Sequence, residues 1–281
     1  MKKYFPIILL IVLVSFSSCK KNKDCIGEGI YIGNITITNQ FQVDSVANFK
    51  YSGIDGILRI NSNTDLDLSN LCTLNMVDQF MIFSTELTSL NGLNNIEEIE
   101  SLWLLGCKKL VHLSEFQNLK RINHLSIENC DKLETITSFN QIKNLINLTI
   151  KGNLKLYDLN GFSNLKRTYS TFYIVDNSSL KNLNGFRSLF STEGNFEILY
   201  NTELESLNGL ENLSKAKKNF STSSCNSLII SANSSLKNFC ALQNLISLDC
   251  ANSPYNHPIY IFEDNAYNPS RDDIAVGNCS I

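Results

Sequence analysis

Two consecutive stretches decide the fold: Leu148-Thr-Ile-Lys-Gly-Asn153-Leu-Lys-Leu156-Tyr-Asp-Leu159-Asn-Gly-Phe162, and Phe172-Tyr-Ile-Val-Asp-Asn177-Ser-Ser-Leu180-Lys-Asn-Leu183-Asn-Gly-Phe186. They are one phrase written twice, 24 residues apart. Extended outward, the apolar pair that opens it recurs as Phe80/Ile82, Leu102/Leu104, Leu125/Ile127, Leu148/Ile150, Phe172/Ile174, Phe196/Ile198 and Leu228/Ile230. The second member advances by 22, 23, 23, 24, 24 and 32 residues. Three positions after it stand Thr85, Cys107, Cys130, Asn153, Asn177, Asn201 and Asn233, and Leu58/Ile60/Asn63 is a less regular first copy. A fixed period of this length belongs to a stack of small units, none of which can bury its apolar face alone.

Each residue type in the phrase has a physical task. The alternating pair makes a short strand with both large side chains inward, and identical strands align as a parallel sheet. The sharp turn after the strand leaves buried backbone groups without ladder partners. A short polar side chain bonds them, where an unsatisfied buried group costs about 1–3 kcal/mol. Asn63, Thr85, Cys107, Cys130, Asn153, Asn177, Asn201 and Asn233 are therefore read as a structural ladder. The Asn-Gly pairs are expected to supply a positive φ at a second corner.

The phrases from Leu148 and Leu156, with Phe196-Glu-Ile-Leu-Tyr-Asn201, resemble the receptor L-domain type of leucine-rich repeat. That type is found in growth-factor receptor ectodomains and in secreted or surface-anchored bacterial proteins. Gly33-Asn-Ile-Thr-Ile-Thr-Asn-Gln40 and Val43-Asp-Ser-Val46 are similar to the entry cap of the bacterial members, as Phe239-Cys-Ala-Leu242, Ala266-Tyr-Asn-Pro269 and Gly277-Asn-Cys-Ser280 are to the exit. The resemblance implies a β-rich, right-handed parallel β-helix of about eight repeats with terminal caps, and a binding role without catalytic residues.

The expected organisation is a signal peptide over 1–18, a lipidated tether over 19–29, and one solenoid over 30–281 with caps at 30–56 and 246–281. Lys2 and Lys3 precede a twelve-residue apolar run, Phe5 to Phe16, too short for a span of about 20 residues and suited to a secretory core. Ser17-Ser18-Cys19 then resembles a bacterial lipobox, with Phe16 where Leu is usual. The resemblance implies acylation of Cys19 and a membrane anchor, on the outer membrane or surface of a Gram-negative bacterium. In the entry cap, Tyr31 to Thr38 alternates as an edge strand does, and Phe41, Val43, Val46 and Phe49 stand near helical spacing. The excess spacing between Ile198 and Ile230 lies near Ser214 to Asn226 and reads as a bulging loop with Lys215, Lys217 and Lys218. After Leu245 the repeat fades, and Asn268 to Asp273 reads as a short capped helix with Pro269 in its first turn.

With Cys19 assigned to lipid, eight cysteines remain of nine. Spacing does not determine their connectivity. Cys240 with Cys279 is the leading pair, pinning the terminal segment to the last repeat, and Cys25 with Cys72 is a candidate at the other end. Cys107 and Cys130 read as buried thiols replacing Asn about 5 Å apart, close enough that a bond between them stays open. There is no CxxC, and His112, His124 and His257 are scattered, so no metal site or cofactor is expected. Asp65 with Asp67 and Glu263 with Asp264 fall short of a calcium ligand set. No nucleophile, phosphate-loop or zinc-protease motif occurs, and a net charge of -3 carries no basic footprint for nucleic acid.

The residues between and after each apolar pair point outward. Met81, Phe83, Trp103 and Leu105 then lie side by side, and large apolar groups on a solvent face mark interfaces. With Tyr173 they form the candidate ligand-binding set, for a protein or glycan. The contrasting expectation is a structural or adhesive surface spacer with no specific ligand.

Overall fold

The computed structural model describes residues 25–83, 86–217, 227–247 and 259–281. The signal segment, Cys19, Thr85, Lys218, Cys225, Cys250 and His257 lie outside the described residues. In chain order come β1 (Ile30–Ile32), β2 (Ile35–Ile37), α1 (Gln40–Asn48), β3 (Gly53–Ile60), β4 (Met76–Phe83), β5 (Glu98–Leu105), β6 (His112–Leu113), β7 (His124–Glu128) and β8 (Thr135–Ile136). There follow β9 (Asn144–Lys151), β10 (Arg167–Val175), β11 (Ser191–Glu193), β12 (Asn195–Leu199), β13 (Lys215–Lys217), β14 (Ser227–Ser231), α2 (Gln243–Ser247), β15 (Ile259–Glu263) and α3 (Arg271–Ala275).

Thirteen strands form one sheet in the order β1-β3-β4-β5-β7-β9-β10-β12-β14-β15, with β2 beside β3 and with β11 and β13 branching from β10. Every strand pairing in it is parallel, so the architecture is a solenoid-like stack of coils. The register matches equivalent positions of successive copies: Phe80↔Leu102, Leu102↔Leu125, Leu125↔Leu148, Leu148↔Phe172 and Phe172↔Phe196. Both members of each of these pairs are buried, as the two-residue alternation of a strand requires. Away from the sheet, the rings of Phe116, Phe139, Phe162 and Phe186 stack coil on coil at centroid spacings of 6.0, 5.5 and 5.4 Å. Such pairs contribute about 0.5–1.5 kcal/mol beyond their burial.

The ladder runs unbroken at its C-terminal end. Backbone amides of Asn153, Asn177, Asn201 and Asn233 each donate to the Oδ1 of the next coil's Asn, at 3.0–3.2 Å. Each Nδ2 donates to a strand carbonyl of the coil before, Asn177 to Ile150 O at 3.0 Å for example. Cys107 and Cys130 take the same place, their thiols directed at Ile82 O and Leu104 O at 3.8 Å. At the first copy the expected position is displaced: Asn63 is exposed and Ser62 beside it is buried.

Two further differences concern the corners. The left-handed residue is the one just before the ladder position: Asn129, Asp176, Tyr200, Ala232 and Asp264 have φ of 54–58°, and Gly106 and Gly152 have 67°. In the Asn-Gly pairs, Gly92 and Gly209 have positive φ but Gly161 and Gly185 do not. What the four share is contact: a Cβ there would run into the Leu68, Ile136, Leu159 or Leu183 carbonyl oxygen of the preceding coil. Glycine is required at this corner for close approach of backbones.

The ends are also coils. Ile35 and Ile37 pair with Leu58 and Ile60, so the entry cap begins the stack. Asn39 caps α1 by accepting from the Gln42 amide at 3.1 Å, yet only Val43 of the helix is buried, and Phe41 and Phe49 are exposed. At the far end the repeat does not fade after Leu245. Tyr260 and Phe262 pair with Leu228 and Ile230, and Asn265 joins the ladder with Asn268 closing it. Pro269 lies before the helix; Ser270 is the N-cap of α3, in a capping box with Asp273. Within the expected bulge, Lys215–Lys217 form β13, paired with Ser191–Glu193, and residues 218–226 lie outside the described residues.

Candidate ligand-binding face

The register fixes which side chains share the outward face of the sheet. One row reads Arg59, Met81, Trp103, Ser126, Thr149, Tyr173, Glu197, Ile229, Ile261, and the next includes Phe83, Leu105, Glu128, Lys151, Val175 and Leu199. Met81 and Phe83 on β4 stand directly opposite Trp103 and Leu105 on β5, and all four are half-buried. The structure therefore brings these four together, as the spacing anticipates. Tyr173 stands apart from them. Three strand steps separate it from Trp103, about 14 Å, and Ser126, Thr149, Glu128 and Lys151 occupy the interval. Its hydroxyl accepts from Asn195 Nδ2 at 2.9 Å, its cross-strand partners are Thr149 and Glu197, and the apolar residues beside it are Val175 on its own strand and Leu199 on the next. The face thus carries two apolar areas divided by a polar strip, rather than one set.

Arg59 completes the first area. It pairs with Met81 across β3 and β4, with its Nη2 3.9 Å from Met81 Sδ and its guanidinium carbon 5.7 Å from the centre of the Phe83 ring. Its Nε is buried without a hydrogen-bond partner. A cation over a ring face is attracted by the ring's negative quadrupole, by about 0.5–1 kcal/mol where exposed. Arg59 was recoverable from sequence, because the residue between Leu58 and Ile60 must point outward by the rule that places Trp103. Within the polar strip Ser126 Oγ donates to Glu128 Oε1.

The remaining candidates have structural partners. Cys25 and Cys72 are bonded with Cα atoms 5.3 Å apart, and Cys240 and Cys279 with Cα atoms 4.9 Å apart. Asp65 accepts from the Thr88 amide and hydroxyl at 3.1 and 2.7 Å, and Asp67 accepts from Ser69, whose hydroxyl first and amide second hold its carboxyl below the ordinary range. These carboxylates are turn residues. His112 bonds the Thr135 hydroxyl and His124 the Asn147 side chain, in different coils. The Cys130 thiol is pushed well above its ordinary pKa, first by its hydrogen bond with Cys107 and then by burial. Among the described residues no three His, Cys, Asp or Glu side chains are grouped to hold a metal ion, and no helix is long and apolar enough to cross a membrane. No protein-family model matches the chain, and no curated protein sequence matches it.

Proposed function

We propose that this chain is a non-catalytic binding module, anchored to a bacterial membrane through an acylated Cys19, that holds a protein or glycan ligand on the outward face of its sheet. The coils are read as right-handed leucine-rich repeats of the receptor L-domain type, on the strength of the quoted phrases. The observation carrying the functional reading is the register that sets Met81, Phe83, Trp103 and Leu105 against one another, with Arg59 at their edge. None of these side chains is in the coil interior, and each keeps part of its surface in water. Aromatic, Met and Arg groups are those enriched at interface centres.

The test uses a soluble form beginning at Lys20, since one beginning at Ile26 would leave Cys72 without Cys25. It is screened by pulldown against host and bacterial surface extracts and against a glycan array. Trp103→Ala should weaken binding of the captured ligand roughly thirtyfold, the equivalent of about 2 kcal/mol, with the melting temperature nearly unchanged. Unfolding of Trp103→Ala, or shielding of the tryptophan from an aqueous quencher in the unliganded protein, would assign the residue to packing instead.

A further inference from the structure

The middle coils sort their charges by side. At the entry to β7, β9 and β10 stand Lys120-Arg121, Lys143-Asn144 and Lys166-Arg167. The Lys166 amide donates to Lys143 O at 2.7 Å and the Phe190 amide to Lys166 O at 3.0 Å, so these three residues form one line along the stack. Lys120 extends it, preceding Lys143 by the same 23 residues that separate the paired His124 and Asn147. All five cations are exposed. Lys120 and Arg121 are paired with Glu97 and Glu98 of the coil before. Lys143, Lys166 and Arg167 form no ion pair among the described residues. From Phe116 to Asn123, Phe139 to Asn147 and Phe162 to Phe172 there is no Asp or Glu. The carboxylates of these coils, Glu128, Asp131, Glu134, Asp158 and Asp176, stand at the far ends of the strands or in the turns after them. The net charge of -3 conceals this separation.

We propose that this line of cations is a second binding surface, for a linear acidic polysaccharide lying along the stack. The coils present one cation each at a spacing of about 4.8 Å, and the line from Lys120 to Phe190 runs about 14 Å. Cations set in a row on a rigid support complement an extended polyanion, whereas a single small anion needs donors that converge on one point. Duplex nucleic acid carries a charge every 1.7 Å or about that, much denser than this row, and is repelled more strongly by the carboxylates beyond the strands. The remaining side chains suit sugars. Arg167 holds its guanidinium carbon 4.6 Å from the centre of the Phe190 ring. Tyr169, two residues further along β10 and so on the same side, is 40% exposed and offers a ring to the apolar face of a sugar. Exposed Asn140, Asn144 and Asn164 lie within three residues of the two lysines and can bond hydroxyls. The surface is separate from the Trp103 area: Arg167 precedes Tyr173 on β10 by six residues, and the strand is irregular between Thr168 and Thr171. It depends neither on acylation of Cys19 nor on what binds beside Trp103.

The experiment titrates the full-length protein, in non-ionic detergent, into fluorescently labelled polygalacturonate and heparin, with labelled dextran as the neutral chain, and reads anisotropy. The parent should bind an acidic polysaccharide and leave dextran free. Lys143→Gln with Lys166→Gln should weaken that binding roughly tenfold. The slope of log affinity against log salt should fall by about 1–2. Lys132→Gln with Lys155→Gln removes the same charge from exposed turns on another side, and should change affinity less than about twofold. Equal weakening by the two pairs would make the attraction one of general charge and overturn the surface. Absence of binding to both acidic chains overturns it too. Duplex DNA that binds as tightly, with the same dependence on Lys143 and Lys166, would overturn the polysaccharide as the occupant. Should the double variant melt early, Lys143→Glu alone carries the same comparison against Lys155→Glu.

Discussion

At the residue scale the ladder is where side-chain chemistry is most constrained. Asn177 is fully buried, accepts from the Asn153 amide, and donates to Ile150 O and Val175 O. Asn177→Ala strands these groups and should lower stability by about 1–3 kcal/mol. Asn182→Ala removes only an exposed turn bond to the Asn184 amide and should cost less than about 1 kcal/mol. Denaturant midpoints compare the two, and equal shifts would contradict the ladder. Cys130 adds a dependence on pH. Its folded pKa is raised, so the unfolded chain releases the proton first as pH rises. Stability should be level below about pH 8.5 and fall above it by up to about 1.4 kcal/mol per pH unit. Cys130→Ala should flatten that slope, as denaturant curves across alkaline pH would register. The polar ladder was legible because its spacing repeats. Ser62 was not, because nothing in the spacing of the irregular first copy separates it from Asn63 beside it.

At the scale of elements, the corners separate two roles of glycine that look alike in sequence. Gly185 has no positive φ, yet its α-carbon abuts the Leu159 carbonyl of the coil before. Gly185→Ala should therefore cost about 1–3 kcal/mol by overpacking. Gly29→Ala, at φ +76° with no atom within 4 Å of the added carbon, should cost only the backbone strain of about 1–2 kcal/mol. Thermal melts of both variants check these costs, and a Gly185→Ala protein as stable as the parent would contradict the crowding at this corner. The Leu-Asn-Gly phrase marks the corner's location, while the carbonyl that crowds it belongs to another coil some two dozen residues earlier. The same limit explains α1. Helical spacing placed Phe41, Val43, Val46 and Phe49 on a helix, but the short terminal coil offers a buried seat to Val43 alone. The last coil reads as a fading repeat, yet its spacing is in the sequence: Tyr260/Phe262/Asn265 follows Leu228/Ile230/Asn233 by the same 32 residues that separate the latter from Phe196/Ile198/Asn201.

For the whole molecule, a stack of coils is held by nearest neighbours, so its ends are its weak points. The C-terminal end is tied by the Cys240–Cys279 disulfide, by the Phe239 amide donating to Cys279 O at 2.8 Å, and by Ile281 donating to Lys237 O at 3.3 Å. The bond closes a separation of 39 residues. Replacing both cysteines with Ser should lower stability by about 3–4 kcal/mol on the loop-entropy account. Hydrogen exchange should show the loss first in α3 and β15, and uniform loss along the stack would argue against an end-localised tie.

The sequence by itself determined the coil: its period, the inward pair of each strand, most of the ladder, and hence which side chains face out. These follow from local rules, because strand alternation and repeat length are properties of short segments. The tertiary structure decided how the outward residues divide into areas. Trp103 stands against Met81 across β4 and β5, as the spacing anticipates, while Tyr173 on β10 belongs to a different area because β7 and β9 intervene. It also decided that Ser62 replaces Asn63 inside, that glycine at the second corner answers to a carbonyl of another coil, and that the fold leaves Phe41 and Phe49 exposed. Each of these depends on a coil distant in sequence, and contact between coils is set by stacking rather than by any single segment.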